Sequence, residues 1–457
     1  QVVFDQENLR VRSVRDATGR ALMWETHDET LVVHLPRAPK AGEPVEVRIR
    51  YTCSPRKGLF FTGPDAAYPD KPRVVWTQGE EMDNRSWYPS YDYPNEKFTT
   101  EIVVTVRDGY QAIANGHLIS QTHDARKGTR TFHWLQDKPH PNYLVGLVVG
   151  EWDCKEWDAD GIPVQAYVPK GRGTYIDLCF SRVPEMVHFY GRVTGLRFPW
   201  DKYAQVCVPD FVFGAMENTT ITILSDDCLT DARAYPDYNA DSHLAHELVH
   251  HWFGDWVTCK SWGHVWLKEG FANYFECLWW EERYGRDEFL VHLEQMRRHY
   301  FEEAEKEYRR PVVTHVFVDA KEMFDAHTYD KGAAVLHMLR SLLGDSLWWK
   351  GIRAYVAAHG TAAVETDDFK VAMESATGKT LDGFFEQWLY APGHPEVEVS
   401  WSWHARAMQV EVRVAQIQDR SAGTPLFKMP ATLEFATDGR VWRETVLLEK
   451  ATHTFHF

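Results

Sequence analysis

Apolar positions in the first third of the chain recur in short β-rich runs, at 31–36, 45–51, 98–106, 130–136 and 143–152. Turn pairs such as Asp108-Gly109, Asn115-Gly116 and Lys127-Gly128 separate them, which predicts an antiparallel sandwich or saddle-shaped sheet over residues 1–155. From residue 156 the period changes. Strands at 164–169, 203–209 and 219–225 give way to helical spacing over 175–195, 242–254, 266–284, 287–306, 330–343, 346–358 and 367–390. Asp241 or Ser242 is the predicted N-cap of the 242–254 helix, and Gly254-Asp255 its predicted stop. Gly393-His394-Pro395 punctuates the end of this unit, 156–395. Beyond it alternation returns: Val397, Val399, Trp401 and Trp403 fall on one face, Val410, Val412 and Val414 on another. That predicts a small β-sandwich over 396–457. The whole is an α+β multidomain chain, with one polar, Tyr- and Pro-rich stretch at 77–98 that is too long for a hairpin and reads as a structured loop.

Composition narrows the class. The 457 residues are 44% apolar and 25% charged, an ordinary globular balance. A net charge of −16 argues against nucleic acid as a partner. The longest apolar run, 143–150, is too short to insert across a bilayer. Seven scattered cysteines without a CxxC pair suit free thiols in a reducing compartment, so the expected location is cytoplasmic. The chain begins at Gln1 rather than Met, so export after removal of a leader stays open.

The chemistry concentrates at 246–269, which opens HELVHH and closes WLKEG. On a helix, His246 and His250 project from one face one turn apart and can take two corners of a zinc tetrahedron. Glu247 falls beside the metal as a candidate base. Glu269, in the next helical run, is the strongest candidate for a third ligand. Glu276, seven residues further on, is a candidate acceptor for a ligand histidine. His243 and His251 are given no metal role: His251 points about 100° from His250.

These residues resemble the gluzincin pattern, HExxH with eighteen residues before the distant glutamate. Upstream, Gly214-Ala215-Met216-Glu217-Asn218 is similar to the GAMEN motif of the M1 family of zinc aminopeptidases. TQGEE from Thr77, WLKEGFANYFE from Trp266, TYDKG from Thr328 and FFEQWLYAPGHP from Phe384 extend the likeness over roughly residues 70–395. The resemblance implies a thermolysin-like mixed α/β catalytic domain between two β units. It implies one Zn²⁺ per chain on His246, His250 and Glu269, Glu247 as general base and Tyr329 as oxyanion donor. Glu217 and Glu80 would anchor a free amine. Gln78, Gly214, Ala215, Met216 and Asn218 would line the peptide, and Phe213 would touch its first side chain or pack in the core.

The implied function is hydrolysis of the N-terminal peptide bond of peptides carrying a free amine. Alternative readings are an inactive M1-like binding scaffold and a family member of the epoxide-hydrolase type, which carries Gln where Glu80 stands. Relatives begin some tens of residues earlier, and many continue into a helical superstructure. The chain is therefore expected to be a short member or part of a longer polypeptide.

Overall fold

The computed structural model describes residues 1–437 and 439–457. Its first part is built from antiparallel ladders. A four-stranded sheet runs Gly58–Thr62, Val74–Gln78, Leu147–Gly150, Gln111–Ala114, beside a three-stranded sheet of His117–Asp124, Thr129–Pro141 and Lys97–Arg107. Val2–Asp5, Thr30–His34 and Met23–Thr26 form a third sheet, and Arg10–Asp16 pairs with Val47–Thr52. The hydrophobic pattern does not predict the strands that start before residue 30. They are short and charge-interrupted, so no apolar run marks them.

The expected run 143–152 does not form one strand. A 3₁₀ turn at Asn142–Leu144 precedes Leu147–Gly150, and Trp152–Ala159 then enters a different sheet. Continuous hydrophobicity hides the switch, because both segments are pressed into sheets. Residue 155, where the pattern suggests a change of unit, lies within Trp152–Ala159.

That second sheet is mixed, in the order Trp152–Ala159, Ile162–Pro169, Tyr203–Val208, Ile221–Ser225, Ala215–Met216. The two central pairings are parallel, and Ala215–Met216 closes one edge antiparallel to Ile221–Ser225. Its core strand Tyr203–Val208 is buried at every position, as a strand covered on both faces should be.

Helices pack against it. Asp241–Val249 buries Leu244, Ala245, Leu248 and Val249, so the 3.6-residue period turns His243, His246, Glu247 and His250 to the other side. Trp266–Tyr284 lies alongside, with Phe271, Phe275 and Leu278 in the same core. Each such fully buried side chain contributes about 1.5–3 kcal/mol of hydrophobic stabilisation, so the two helices are fixed by packing and not by their caps.

The predicted ends of Asp241–Val249 need correction. Ala240 takes the cap position, and the Asp241 carboxylate is drawn away to Arg182 (2.7 Å) and the Tyr284 hydroxyl (3.0 Å). Asn239 Oδ1 instead accepts from the Asp241 N–H. The helix ends at Val249, five residues before Gly254, and the chain tightens into turns in which the His251 and Trp252 N–H groups bond the Leu248 and Val249 carbonyls, while the Phe253 carbonyl meets His250 Nδ1 at 3.0 Å.

Elsewhere, 175–195 divides into Ile176–Phe180 and Val183–Thr194. The helix at 330–343 begins only at Gly332, after a π turn over His327–Lys331. The run 367–390 stops at Thr377, where Gly378 adopts φ +69°, and resumes as Asp382–Phe385 and a second π turn. Trp266–Tyr284, Arg286–Lys306 and Asp345–Ala358 follow the expected periods.

The tail forms two small sheets, Val397–His404/Gln409–Gln416/Thr452–His456 and Met429–Thr437/Arg440–Leu448. Val399, Trp401 and Trp403 sit directly opposite Val414, Val412 and Val410, so these two sets share one face of one sheet.

Candidate active site

Two helices and an edge strand build the site. His246 and His250 lie with ring centroids 4.8 Å apart, and each turns its Nε2 to the same oxygen, Glu269 Oε2, at 3.3 Å. Their other nitrogens face acceptors: His250 Nδ1 meets the Phe253 carbonyl, and His246 Nδ1 lies 3.5 Å from Glu276 Oε2. With the Nδ1 atoms protonated toward those acceptors, both Nε2 lone pairs point at a carboxylate oxygen that is buried without a donor. In those tautomers the three atoms are acceptors converging on one point, which suits a cation. The donor set of two imidazoles and one carboxylate is that of a three-ligand zinc site with a free position.

Glu247 lines the same cavity of about 510 Å³, and its Oε2 is also buried without a partner. Burial pushes its carboxyl up to about 8. Tyr329, in the π turn, stacks parallel to His246 at 6.3 Å on the cavity wall. Its approach depends on two glycines. Gly270 and Gly332 touch backbone to backbone, and a Cβ on either would come within 3.1 Å of the other residue.

The GAMEN segment supplies the opposite wall. Ala215–Met216 is the edge strand of the mixed sheet, and an edge leaves one row of backbone groups available to a further strand. At Gly214 a Cβ would meet His243 Nε2 at 3.1 Å, so the glycine lets the strand close on the helix. Phe213 is half exposed on this wall rather than in the core. Gln78 and Asn218 are buried and lie off the cavity wall: Gln78 Nε2 contacts Met216 Sδ at 3.3 Å, and Asn218 packs against Gly146. His251 is a core residue. It accepts from the Thr220 N–H, bonds the Glu247 carbonyl and stacks on Phe198, and burial lowers its pKa to about 3. His243 borders the cavity outside the ligand group.

Sequence reasoning missed Lys268. It is fully buried, and its Nζ donates to Glu217 Oε1 at 2.7 Å and to Glu269 Oε1. Glu80 Oε1 also lies 2.7 Å away, but not aligned as a hydrogen bond. Burial works against the ammonium, yet the surrounding carboxylates outweigh it and hold Lys268 charged. Glu269 is held well below the usual carboxylate range, burial being overcome chiefly by the Lys268 ammonium. Burial prevails at Glu80 and pushes it up. A lysine inside an otherwise apolar helical run, directly before a candidate ligand, was the signal that could have found it.

Comparison with known proteins identifies the family. Residues 1–144 match the peptidase M1 N-terminal domain, and residues 179–388 match the peptidase family M1 domain. The chain belongs to peptidase family M1. Among M1 relatives it is 27% identical to aminopeptidase M1 of Arabidopsis thaliana over 366 residues, 78% of this chain and 40% of that protein. Probable aminopeptidase 1 of Sulfurisphaera tokodaii is 25% identical over 100% of this chain and 57% of its own length. Glutamyl aminopeptidase of Bitis rhinoceros is 30% identical over 71% of this chain and 35% of its own. The fold matches the crystal structure of Legionella pneumophila aminopeptidase A in complex with aspartic acid, with a TM-score of 0.85 at 20% identity, over 100% of this chain and 52% of that one. The chain thus spans about half the length of the relatives it matches.

No helix among the described residues is long and apolar enough to cross a membrane, and the cysteines are free.

Proposed function

We propose that this M1 chain is a zinc-dependent aminopeptidase that hydrolyses the N-terminal peptide bond of peptides with a free amine. The observation that carries the reading is the convergence of His246 Nε2 and His250 Nε2 on Glu269 Oε2, at 3.3 Å each, beside the carboxylates Glu217 and Glu80 on one cavity. His246, His250 and Glu269 would hold Zn²⁺, which supplies Lewis-acid polarisation of a carbonyl and acidifies water toward pKa 7.

The protein's own groups do the rest. Glu247 takes a proton from the attacking water on a carboxylate oxygen and returns it to the leaving amine. The Tyr329 hydroxyl donates to the oxygen that gains charge as the carbonyl becomes tetrahedral. Glu217 and Glu80 bind the substrate ammonium, whose desolvation needs carboxylate partners. Their second oxygens serve this, since Lys268 engages one oxygen of each. The free edge of Ala215–Met216 takes the substrate backbone as an added strand. Gln78 and Asn218 support that strand from behind. Glu276 orients His246 from the side away from the ligand group.

The intact set of groups speaks against an inactive scaffold. A carboxylate at Glu80 favours an amine over an epoxide substrate. The test is a panel of aminoacyl arylamides beside their N-acetylated forms, with and without chelator, together with elemental analysis. The expected result is turnover of free-amine substrates alone, lost on chelation, restored by Zn²⁺, with one zinc bound per chain. Zinc bound without turnover, or equal cleavage of acetylated substrates, would overturn the reading.

A further inference from the structure

Glu81 lines the cavity directly after the amine anchor Glu80, yet the chemistry above makes no use of it. Only 7% of it is exposed. The neighbouring carboxylates are balanced: Glu217 and Glu80 share the Lys268 ammonium, and Glu269 meets Lys268 and two histidines. Among the described residues, Glu81 has no ion pair within 4.0 Å and no side-chain hydrogen bond to another residue. Lys321 acts on it only at longer range, and Asp319 and Asp83 oppose that pull. Burial pushes the carboxyl up to about 7, the response of a buried acid without a counter-ion.

Its position gives it a partner. Glu81 lines the same cavity as Glu80 and Glu217, so a substrate whose ammonium is held by those two residues sends its first side chain into a space that Glu81 borders. Met216 and Phe324 line the same space and offer apolar surface for a methylene stem. A cationic head at the end of such a stem meets the unpaired carboxylate. An acidic side chain meets Glu80, Glu81 and Glu217 together. We infer that Glu81 selects substrates whose N-terminal residue is arginine or lysine. This inference rests on the aminopeptidase reading and names its substrate class.

Glu81 also borders a second hollow shared with Asp83, Asp319 and Lys321, and a purely structural role there is the alternative. The test compares kcat/KM for arginine, lysine, leucine and glutamate arylamides in the wild type, Glu81→Gln and Glu81→Ala. In the wild type arginine and lysine should exceed leucine by about tenfold or more, the scale of a charge-assisted contact, and both variants should remove most of that advantage. An arginine-to-leucine ratio unchanged by Glu81→Gln, or a wild-type preference for leucine or glutamate, would overturn the proposal.

Calorimetric binding of argininamide and leucinamide repeats the comparison without turnover. Tighter binding of argininamide, lost in Glu81→Gln, supports the inference even if hydrolysis fails; equal binding of the two amides overturns it. Chelator-sensitive turnover of leucine arylamide with no cationic preference would sink the Glu81 role alone and leave the aminopeptidase reading standing.

Discussion

Among the described residues, three regions place histidine and carboxylate atoms within reach of a common ion, and two of them, each with a fully buried histidine, repay comparison. One is His246, His250 and Glu269; the other is Glu303, Asp325 and His327. In the second, every acceptor already has a donor. Arg310 grips both oxygens of Asp325, the Tyr308 hydroxyl adds 2.8 Å to one of them, and the Thr328 N–H adds 3.0 Å to the other. His327 Nδ1 meets Glu303 at 2.7 Å, and the Arg310 N–H reaches His327 Nε2. In the first, the two Nε2 atoms each lie 3.3 Å from Glu269 Oε2, an oxygen that has no aligned hydrogen-bond donor among the described residues. Ligand type and distance are the same in kind. The supply of donors separates the proposed metal centre from a structural network.

The largest effect expected from that contrast is at Glu247. Glu247→Gln should lower turnover by about 10²–10⁴-fold while zinc content stays at one per chain. Glu303→Gln, in the other group, should leave both within about twofold, and equal losses in the two variants would erase the distinction. Next, Arg310→Met removes the donor that satisfies Asp325. It should cost about 3–5 kcal/mol in denaturant unfolding without changing zinc content, because it strands a buried charge. Loss of zinc with stability intact would place the ion in the wrong group.

Tyr329→Phe should lower kcat far more than it raises KM, by about 3–4 kcal/mol of transition-state stabilisation. The reverse split would make Tyr329 a binding residue. The smallest effect concerns pH. Burial raises the Asp325 pKa, but hydrogen bonds from His327 and Arg310 outweigh it and hold the group at about 2, against 3.8 for a free aspartate. A lowered carboxylate stabilises the fold above pH 3.8 and loses that contribution as pH falls through about 2. The stability difference between wild type and Asp325→Asn should therefore shrink by about 2 kcal/mol between pH 5 and pH 2. A difference independent of pH would mean that Asp325 does not feel its ring of donors as a charge.

Much of the site is legible in the sequence, for local reasons. His246 and His250 share a face because helical pitch imposes it, and Glu276 follows Glu269 onto one face for the same reason. Helix ends are less legible. Asp241 has the right chemistry for a cap, but Arg182, 59 positions away in the chain, draws its carboxylate elsewhere. The predicted stop at Gly254 lies five residues past the end of the helix, because the chain tightens into shorter-range turns after Val249. The strand Trp152–Ala159 merges with the run before it because two successive buried segments look alike to a hydrophobic pattern.

The amino-acid order alone determined the β–α/β–β succession, the paired histidines and the family motifs, since period and spacing are properties of a few neighbouring residues. Only the tertiary structure decided that Glu269 presents a donor-less oxygen to both rings and that Lys268 ties it to Glu217 and Glu80. It alone also left Glu81, on the wall of the same cavity, without an ion pair among the described residues. Those outcomes depend on side chains from four separate segments meeting in one low-dielectric space, where each charge must find a partner or go without. Spacing along the chain carries no record of which partner arrives.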